Sequence, residues 1–255
     1  MFQAASPNLG NCKICGGPSP LFGVVDFNKS CLEAHGKTLS LSGKPVYYRR
    51  CGSCGFLFTD AFDDWSPEAF LKHIYNNDYA VVDPDYAAAR PVNNAKAIAQ
   101  TFGASRDVLS ILDYRGGNGL LARALAEEGF QATTYDPLTT FSARPQGRFD
   151  LITCFEVMEH LPFPERTVAD IGRLLADEGI LLFSTLTQPA NFDELGLRWW
   201  YVGPRNGHVS LYSRRALAIL FEKNGMGLMS LSDLVHMAFR KLPACASHLA
   251  NASLS

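Results

Sequence analysis

No apolar run in the 255 residues approaches the roughly 18–20 residues needed to cross a bilayer, so a transmembrane helix is not expected. The opening MFQAASPNLG has neither a basic start nor an apolar centre, unlike a secretory signal. No internal repeat and no low-complexity stretch appears. Neither sign of charge dominates: 23 Lys and Arg face 25 Asp and Glu, for a net charge of −2. A broad nucleic-acid or membrane surface is therefore not indicated, although a local basic patch stays open. Cysteine is scarce and odd in number, at seven, which does not suit a disulfide framework. Four of the seven fall in two close pairs, the pattern of reduced thiols around a metal in a cytoplasmic protein. Oligomeric state leaves no mark in the sequence.

The composition that is present, 47% hydrophobic and 19% charged, is that of a globular chain with room for one sizeable α/β domain and a small appendage. The most organised stretch is SILDYRGGNGLLARALAEEGFQATTYD, from Ser110 to Asp136. An apolar run ends at Asp113, and Gly116, Gly117 and Gly119 form a turn with little side-chain bulk. Leu120, Leu121, Ala124 and Leu125 then recur at helical spacing, and Gly129 is placed to end the helix. Asp136 closes the next strand about 20 residues after the turn, where an acid can hold ribose hydroxyls. This is a nucleotide-like cofactor signal that does not name the cofactor.

Ahead of it, Cys12-Lys-Ile-Cys15-Gly and Cys51-Gly-Ser-Cys54-Gly are matching turns. Each can aim two sulfurs at one ion, and together they supply the four thiolates of a structural zinc site. A zinc ribbon is the natural reading, with Val46 to Arg49 as a strand leading into the second turn and the metal contributing folding energy. Cys31 and His35 lie between the pairs and are read as structural or incidental, with replacement of one ligand a lesser option. From residue 61 to 104 the chain turns helical. Ser66 and Pro67 open one helix, and a second runs from about Pro91 to Phe102. Tyr75 and Tyr79 are placed either to cover a site or to pack the two parts together. The division expected is a zinc-ribbon-like segment 1–60, a helical connection 61–104, a cofactor domain 105–242 and a tail 243–255.

Beyond Asp136, residues 137–148 are too short for a full helix and strand, so the sheet is expected to lack one crossover unit. A strand over Phe149–Phe155 runs into Glu156-Val-Met-Glu159-His160. A helix follows from about Pro164 to Leu175, a turn at Glu178-Gly179, and a strand from Ile180 to Leu186. After an irregular segment with Trp199, Trp200 and Tyr201, Ser213 caps a last helix, and strands are expected near 228–231 and 235–242. Alternating strands and helices predict a mostly parallel sheet covered on both faces, with ligands at the carboxyl ends of its strands. Asp113, Asp136 and Glu156 fall at such ends.

Gly117-Asn-Gly119-Leu-Leu-Ala122 also fits a dinucleotide fingerprint and hence an NAD-type oxidoreductase. Against this, Asp113 at the mouth of the turn would repel a pyrophosphate and suits a cofactor with a cationic centre and an amino group, S-adenosylmethionine. Here ILDYRGGNG, TTYDP, FDLITCFEVMEHL, GILLFSTL and GHVSLYS together resemble the class I S-adenosylmethionine-dependent methyltransferases. The paired cysteines resemble the zinc-binding leader of some bacterial members. The resemblance implies a Rossmann-like α/β fold. It also implies that Asp113, Gly116, Gly117 and Gly119 lie along the methionine and ribose side of the cofactor, that Asp136 holds the ribose, and that Phe155 and Glu156 border the cofactor and the substrate opening. One departure stands out: Arg115 replaces the first glycine of the family's Asp-x-Gly-x-Gly-x-Gly. At a positive φ it costs about 1 kcal/mol or more, part of which pairing with a nearby carboxylate would offset.

Methyl transfer is an in-line displacement that needs positioning, and an oxygen or nitrogen nucleophile can need a base. His160 and His208 are the candidate bases, with Glu156 beside them. Glu156-x-x-Glu159-His160 with the later His208 also resembles the divalent-metal site of small-RNA 3′-terminal and ubiquinone-pathway O-methyltransferases. The alternative is local hydrogen bonding at a helix start. His35, His73, His236 and His248 have no partners by spacing. Trp199, Trp200 and Tyr201 either stack on an acceptor or form a packed lid. The expected activity is methyl transfer to a small molecule: a sugar, a nucleotide-linked sugar or a natural-product hydroxyl. RNA methylation, an NAD-type oxidoreductase and a catalytically lapsed zinc-ribbon binding protein remain the alternatives.

Overall fold

The computed structural model describes residues 10–85, 88–141 and 143–252. In the leader, β1 (Gly10–Asn11) pairs with β2 (Pro18–Ser19), and β3 (Leu21–Asp26), β4 (Pro45–Arg50) and β5 (Leu57–Thr59) form an antiparallel sheet. Three helices follow: α1 (Pro67–His73), α2 (Tyr79–Val82) and α3 (Ala89–Phe102). Ser66 caps α1 as expected, its side chain accepting from the Ala69 N–H. Then come β6 (Ser110–Tyr114), α4 (Leu120–Glu127), β7 (Gln131–Tyr135), β8 (Phe149–Cys154), α5 (Pro164–Leu174) and β9 (Leu175–Ser184). The chain ends through α6 (Phe192–Leu195), β10 (Ser210–Leu211), α7 (Arg214–Glu222), β11 (Gly227–Ser230), β12 (Val235–Phe239) and α8 (Ser247–Ala252).

The main sheet has the order β11-β12-β9-β8-β6-β7. β7, β6, β8 and β9 run parallel, while β12 is antiparallel to both its neighbours. With β7 at the edge, the segment 137–148 contributes no strand among its described residues, and the short crossover expected there is what the sheet shows. Alternation along the strands divides the core. Leu112, Ile152, Leu181 and Phe183 face α5 and α7, and Ile111, Leu151, Ile180 and Leu182 face α3 and α4. The sheet is therefore covered by helices on both faces, as read from the sequence.

Two local expectations are corrected. Glu178-Gly179 does not join helix to strand: β9 starts at Leu175, and its register against β8 shifts between Phe149 and Leu151. A Cβ on Gly179 would lie 2.8 Å from the Phe149 carbonyl oxygen, so this irregularity needs glycine. The irregular segment before α7 is also not free of the leader. Its β10 adds to the leader sheet beside β5, giving the order β10-β5-β4-β3.

Candidate active site

The parallel strands end in a cavity of about 700 Å³ lined by Asp113, Arg115, Gly116, Gly117, Asp136, Phe155, Glu156 and His160 among others. Asp113, Asp136 and Glu156, the acids placed at strand ends by the sequence, are thus brought together by β6, β7 and β8. Gly119 is not among the lining residues. Asp113 is 3% exposed; Oδ1 accepts from the Thr153 hydroxyl at 3.1 Å, and Oδ2 is buried without a partner. Its carboxyl sits directly beneath the turn: a Cβ on Gly116 would lie 1.9 Å from Oδ2. Burial, together with the nearby Asp136 charge, pushes Asp113 up to about 7. Asp136 accepts from the Gly117 N–H at 2.9 Å through Oδ2 and from the Leu138 N–H at 2.8 Å through Oδ1. Its carboxylate thereby ties the glycine turn to the end of β7 and keeps lone pairs free on each oxygen.

Arg115 adopts φ 59°, and Glu156 adopts φ 53°; they are the two non-glycine residues with positive φ among those described. Both line the cavity. The offset expected for Arg115 is not formed: its guanidinium makes no hydrogen bond or ion pair with a described residue, and Nε is buried without a partner. Glu156 is held by Ser184, whose Oγ accepts from the Glu156 N–H at 2.8 Å and donates to Oε1 at 2.6 Å.

His160 at the cavity wall and Glu159 and His208 behind it place one donor atom each within 4.8 Å of one another. Glu156, expected as a fourth member, is turned to Ser184 and lies outside this group. Glu159 is fully buried; the Tyr201 hydroxyl donates to its Oε1 at 2.7 Å, and its Oε2 has no partner. His208 Nδ1 donates to the Tyr201 carbonyl at 2.8 Å, since a carbonyl only accepts, and this leaves Nε2 as the lone-pair nitrogen. Burial pushes Glu159 up to about 8, aided by the Glu156 charge. Burial also lowers His208 to about 4 and holds His160 well below its ordinary value. Neutral imidazoles beside an orphaned carboxyl oxygen form a donor set that fits a divalent cation. The Nδ1–H to carbonyl bond is the outer contact that commonly orients a ligating imidazole. His208 is itself held by the leader, because the Tyr48 hydroxyl donates to its carbonyl at 2.7 Å.

Trp199 and Tyr201 are buried in a cluster with leader residues, so they form a packed lid, and Trp200, 37% exposed, does not line the cavity either. His236, given no partner by spacing, bonds Ser230 Oγ at 2.9 Å and the Thr185 carbonyl at 3.0 Å. Cys31 Sγ lies 3.6 Å from His208 Nδ1, a contact no spacing reveals. Tyr75 and Tyr79 line the cavity and also pack against each other with ring centroids 5.1 Å apart. Sequence reasoning missed Asp83, Arg90 and Asn94, which reach the cavity from α3 and the segment before it. Arg90 pairs with Asp83 at 2.8 and 3.1 Å, but Asp83 precedes the helix and no periodic spacing marks the contact.

Away from the cavity the four paired cysteines converge. Cys12 and Cys54 sulfurs lie 3.6 Å apart and those of Cys15 and Cys51 3.4 Å apart, near the edge of about 3.8 Å in a tetrahedron with Zn–S bonds of about 2.3 Å. The two turns repeat each other in detail. Gly16 and Gly55 have φ of 75° and 78°, and their N–H groups donate to the Cys12 and Cys51 carbonyls at 3.0 and 2.9 Å. Backbone N–H groups of Cys15 and Cys54 donate to the Cys12 and Cys51 sulfurs at 3.5 and 3.4 Å, which favours thiolates. The site fits structural zinc.

The family described as Methyltransferase domain matches residues 67–231. A ubiquinone biosynthesis O-methyltransferase of Idiomarina loihiensis is 29% identical over 34% of this chain and 46% of its own. The one from Escherichia coli K12 is 29% identical over 31% and 43%. The chain thus spans less than half the length of these curated relatives. The solved structure of Burkholderia thailandensis 1,6-didemethyltoxoflavin-N1-methyltransferase, with bound 1,6-didemethyltoxoflavin and S-adenosylhomocysteine, superposes with a TM-score of 0.52 at 13% identity, covering 80% of this chain and 98% of that one. That likeness is one of fold.

Proposed function

The chain belongs to the class I S-adenosylmethionine-dependent methyltransferases, and on that premise we propose that it methylates a hydroxyl of a small molecule in the cavity at the strand ends. The observation that carries this reading is the joining, in one cavity, of the Asp113–Asp136 glycine turn to His160 and the cluster behind it. S-adenosylmethionine supplies, when bound, a methyl group on a sulfonium. The residues fit it. Asp113 offers a buried, unpartnered oxygen to a cationic group, Asp136 keeps acceptor capacity for ribose hydroxyls, and Phe155 and Glu156 border the opening.

Glu159, His160 and His208 would hold a divalent cation that orients an acceptor hydroxyl and lowers its pKa, with Glu156 at the cavity edge. In its absence His160, which lines the cavity as a neutral imidazole, would take the acceptor proton. An O-methyl acceptor is supported by the names of the curated relatives. The weak basic character disfavours RNA, and Asp113 disfavours NAD.

Calorimetric titration with S-adenosylmethionine, S-adenosylhomocysteine and NAD tests the cofactor. Binding of the first two is expected; binding of NAD alone would reverse the reading, and no binding at all would mark a lapsed enzyme. Chelator is expected to abolish methyl transfer while leaving cofactor affinity intact, whereas unchanged turnover would remove the cation.

A further inference from the structure

Of the two arginines that line the cavity, one forms no ion pair with any described residue. Arg90 is neutralised by a two-point pair with Asp83. Arg115 lines the same cavity, has no ion pair with a described residue, and buries Nε without a partner. A guanidinium is a permanent cation whose fork suits a carboxylate, and leaving a donor buried and unmade is unfavourable. The backbone beneath it is strained as well, at φ 59°. Strain of this kind persists where a function holds it. Two residues earlier stands the converse group: Asp113, with Oδ2 buried and unpartnered in the same cavity.

An unmatched acid and an unmatched base, two positions apart on one turn, complement a ligand that carries an ammonium and a carboxylate on one carbon. Resting on the cofactor reading above, we propose that Arg115 is the residue that binds the carboxylate of the cofactor's amino-acid end, while Asp113 receives its amino group. The turn thereby trades a relaxed glycine for a specific charge contact. Arg115 also bears on the reactive side of the cavity: burial raises Tyr75, and the Arg115 charge is the chief influence opposing it. That is where the methionine end must lie if its methyl is to meet an acceptor near His160. The same carboxylate chemistry could come from an acceptor, and the choice of ligands separates the two sources.

The test is calorimetry on the whole protein with S-adenosylhomocysteine and with 5′-methylthioadenosine, which keeps the nucleoside and thioether but has no amino-acid group. Wild type should bind S-adenosylhomocysteine at least about tenfold more tightly, the scale of one charge-assisted contact. Arg115→Gly should lose about that factor for S-adenosylhomocysteine and leave methylthioadenosine unchanged, and Arg115→Lys should retain part of it. The glycine variant relieves the positive φ, so a melting temperature at or above wild type is expected and loss of fold will not mimic the effect. Equal or tighter binding of S-adenosylhomocysteine by Arg115→Gly would overturn the assignment and leave the cofactor reading standing. An equal loss of both ligands would also overturn it, because the effect would then lie in the shape of the turn. If wild type binds neither nucleoside, the cofactor reading falls first and this one with it.

Discussion

Asp113 and Gly116 show how tightly single residues constrain this site. The carboxyl occupies the space a side chain at Gly116 would need, so the glycine serves room and not a left-handed backbone. Gly116→Ala places a methyl group 1.9 Å from Oδ2. It should destabilise the protein by about 1–3 kcal/mol and remove S-adenosylhomocysteine binding, read by urea unfolding and calorimetry. Asp113 also predicts a pH dependence. Its folded value of about 7 lies above an unfolded value of about 3.9, so the native state holds a proton that the unfolded chain releases between these limits. Stability of the ligand-free protein should therefore fall as pH rises from about 4 to about 7, and Asp113→Asn should flatten that fall. Parallel urea curves for the two proteins at every pH would contradict it. At this scale the sequence already carried the reasons for Asp113, Asp136 and the glycines, since strand ends and turns are local. Arg115 was legible only as an anomaly, because whether a guanidinium finds a partner depends on distant elements.

Among the elements, local chemistry did most of the placing. Pro67 and Ser66 open α1, and Ser213 opens α7 by accepting from the Ala216 N–H at 3.0 Å. The Ser213 hydroxyl also donates to the Cys54 carbonyl, joining the helix start to the second cysteine turn. Ser213→Ala should therefore cost about 1 kcal/mol or more, measured by denaturant unfolding; an unchanged midpoint would show that water replaces both bonds. The missing crossover after β7 followed from chain length alone. The early start of β9 did not, because β-bulge register is settled by the neighbouring strand and leaves no periodic trace. The pairing of β10 with β5 was equally hidden: two residues carry no alternation to read.

In the whole molecule, the cysteine turns share a core with the cofactor sheet. Cys12, Cys51 and Cys54 belong to the same buried cluster as Leu181, Phe183 and Phe221, and β4, through Tyr48, holds the His208 backbone. The expected consequence is one zinc per chain, and loss of that zinc should weaken the cofactor site as well as the leader. Cys51→Ser should lose the metal, lower the melting temperature in a single transition and reduce S-adenosylhomocysteine affinity. Metal analysis finding no zinc in the wild type, or a variant that keeps full affinity, would separate the two parts. No helix among the described residues is long and apolar enough to cross a membrane.

By itself the sequence determined the alternation of strands and helices, the glycine turn with its two acids, and the four-thiolate turns, because each is set by residues near one another in the chain. Only the tertiary structure decided that Glu159, His160 and His208 meet while Glu156 turns to Ser184, and that the leader sheet continues into the segment bearing His208. It alone left Arg115 without an ion pair to a described residue. Those outcomes depend on which distant groups fill the remaining space and satisfy the buried polar atoms, and that balance exists only once the chain has closed on itself.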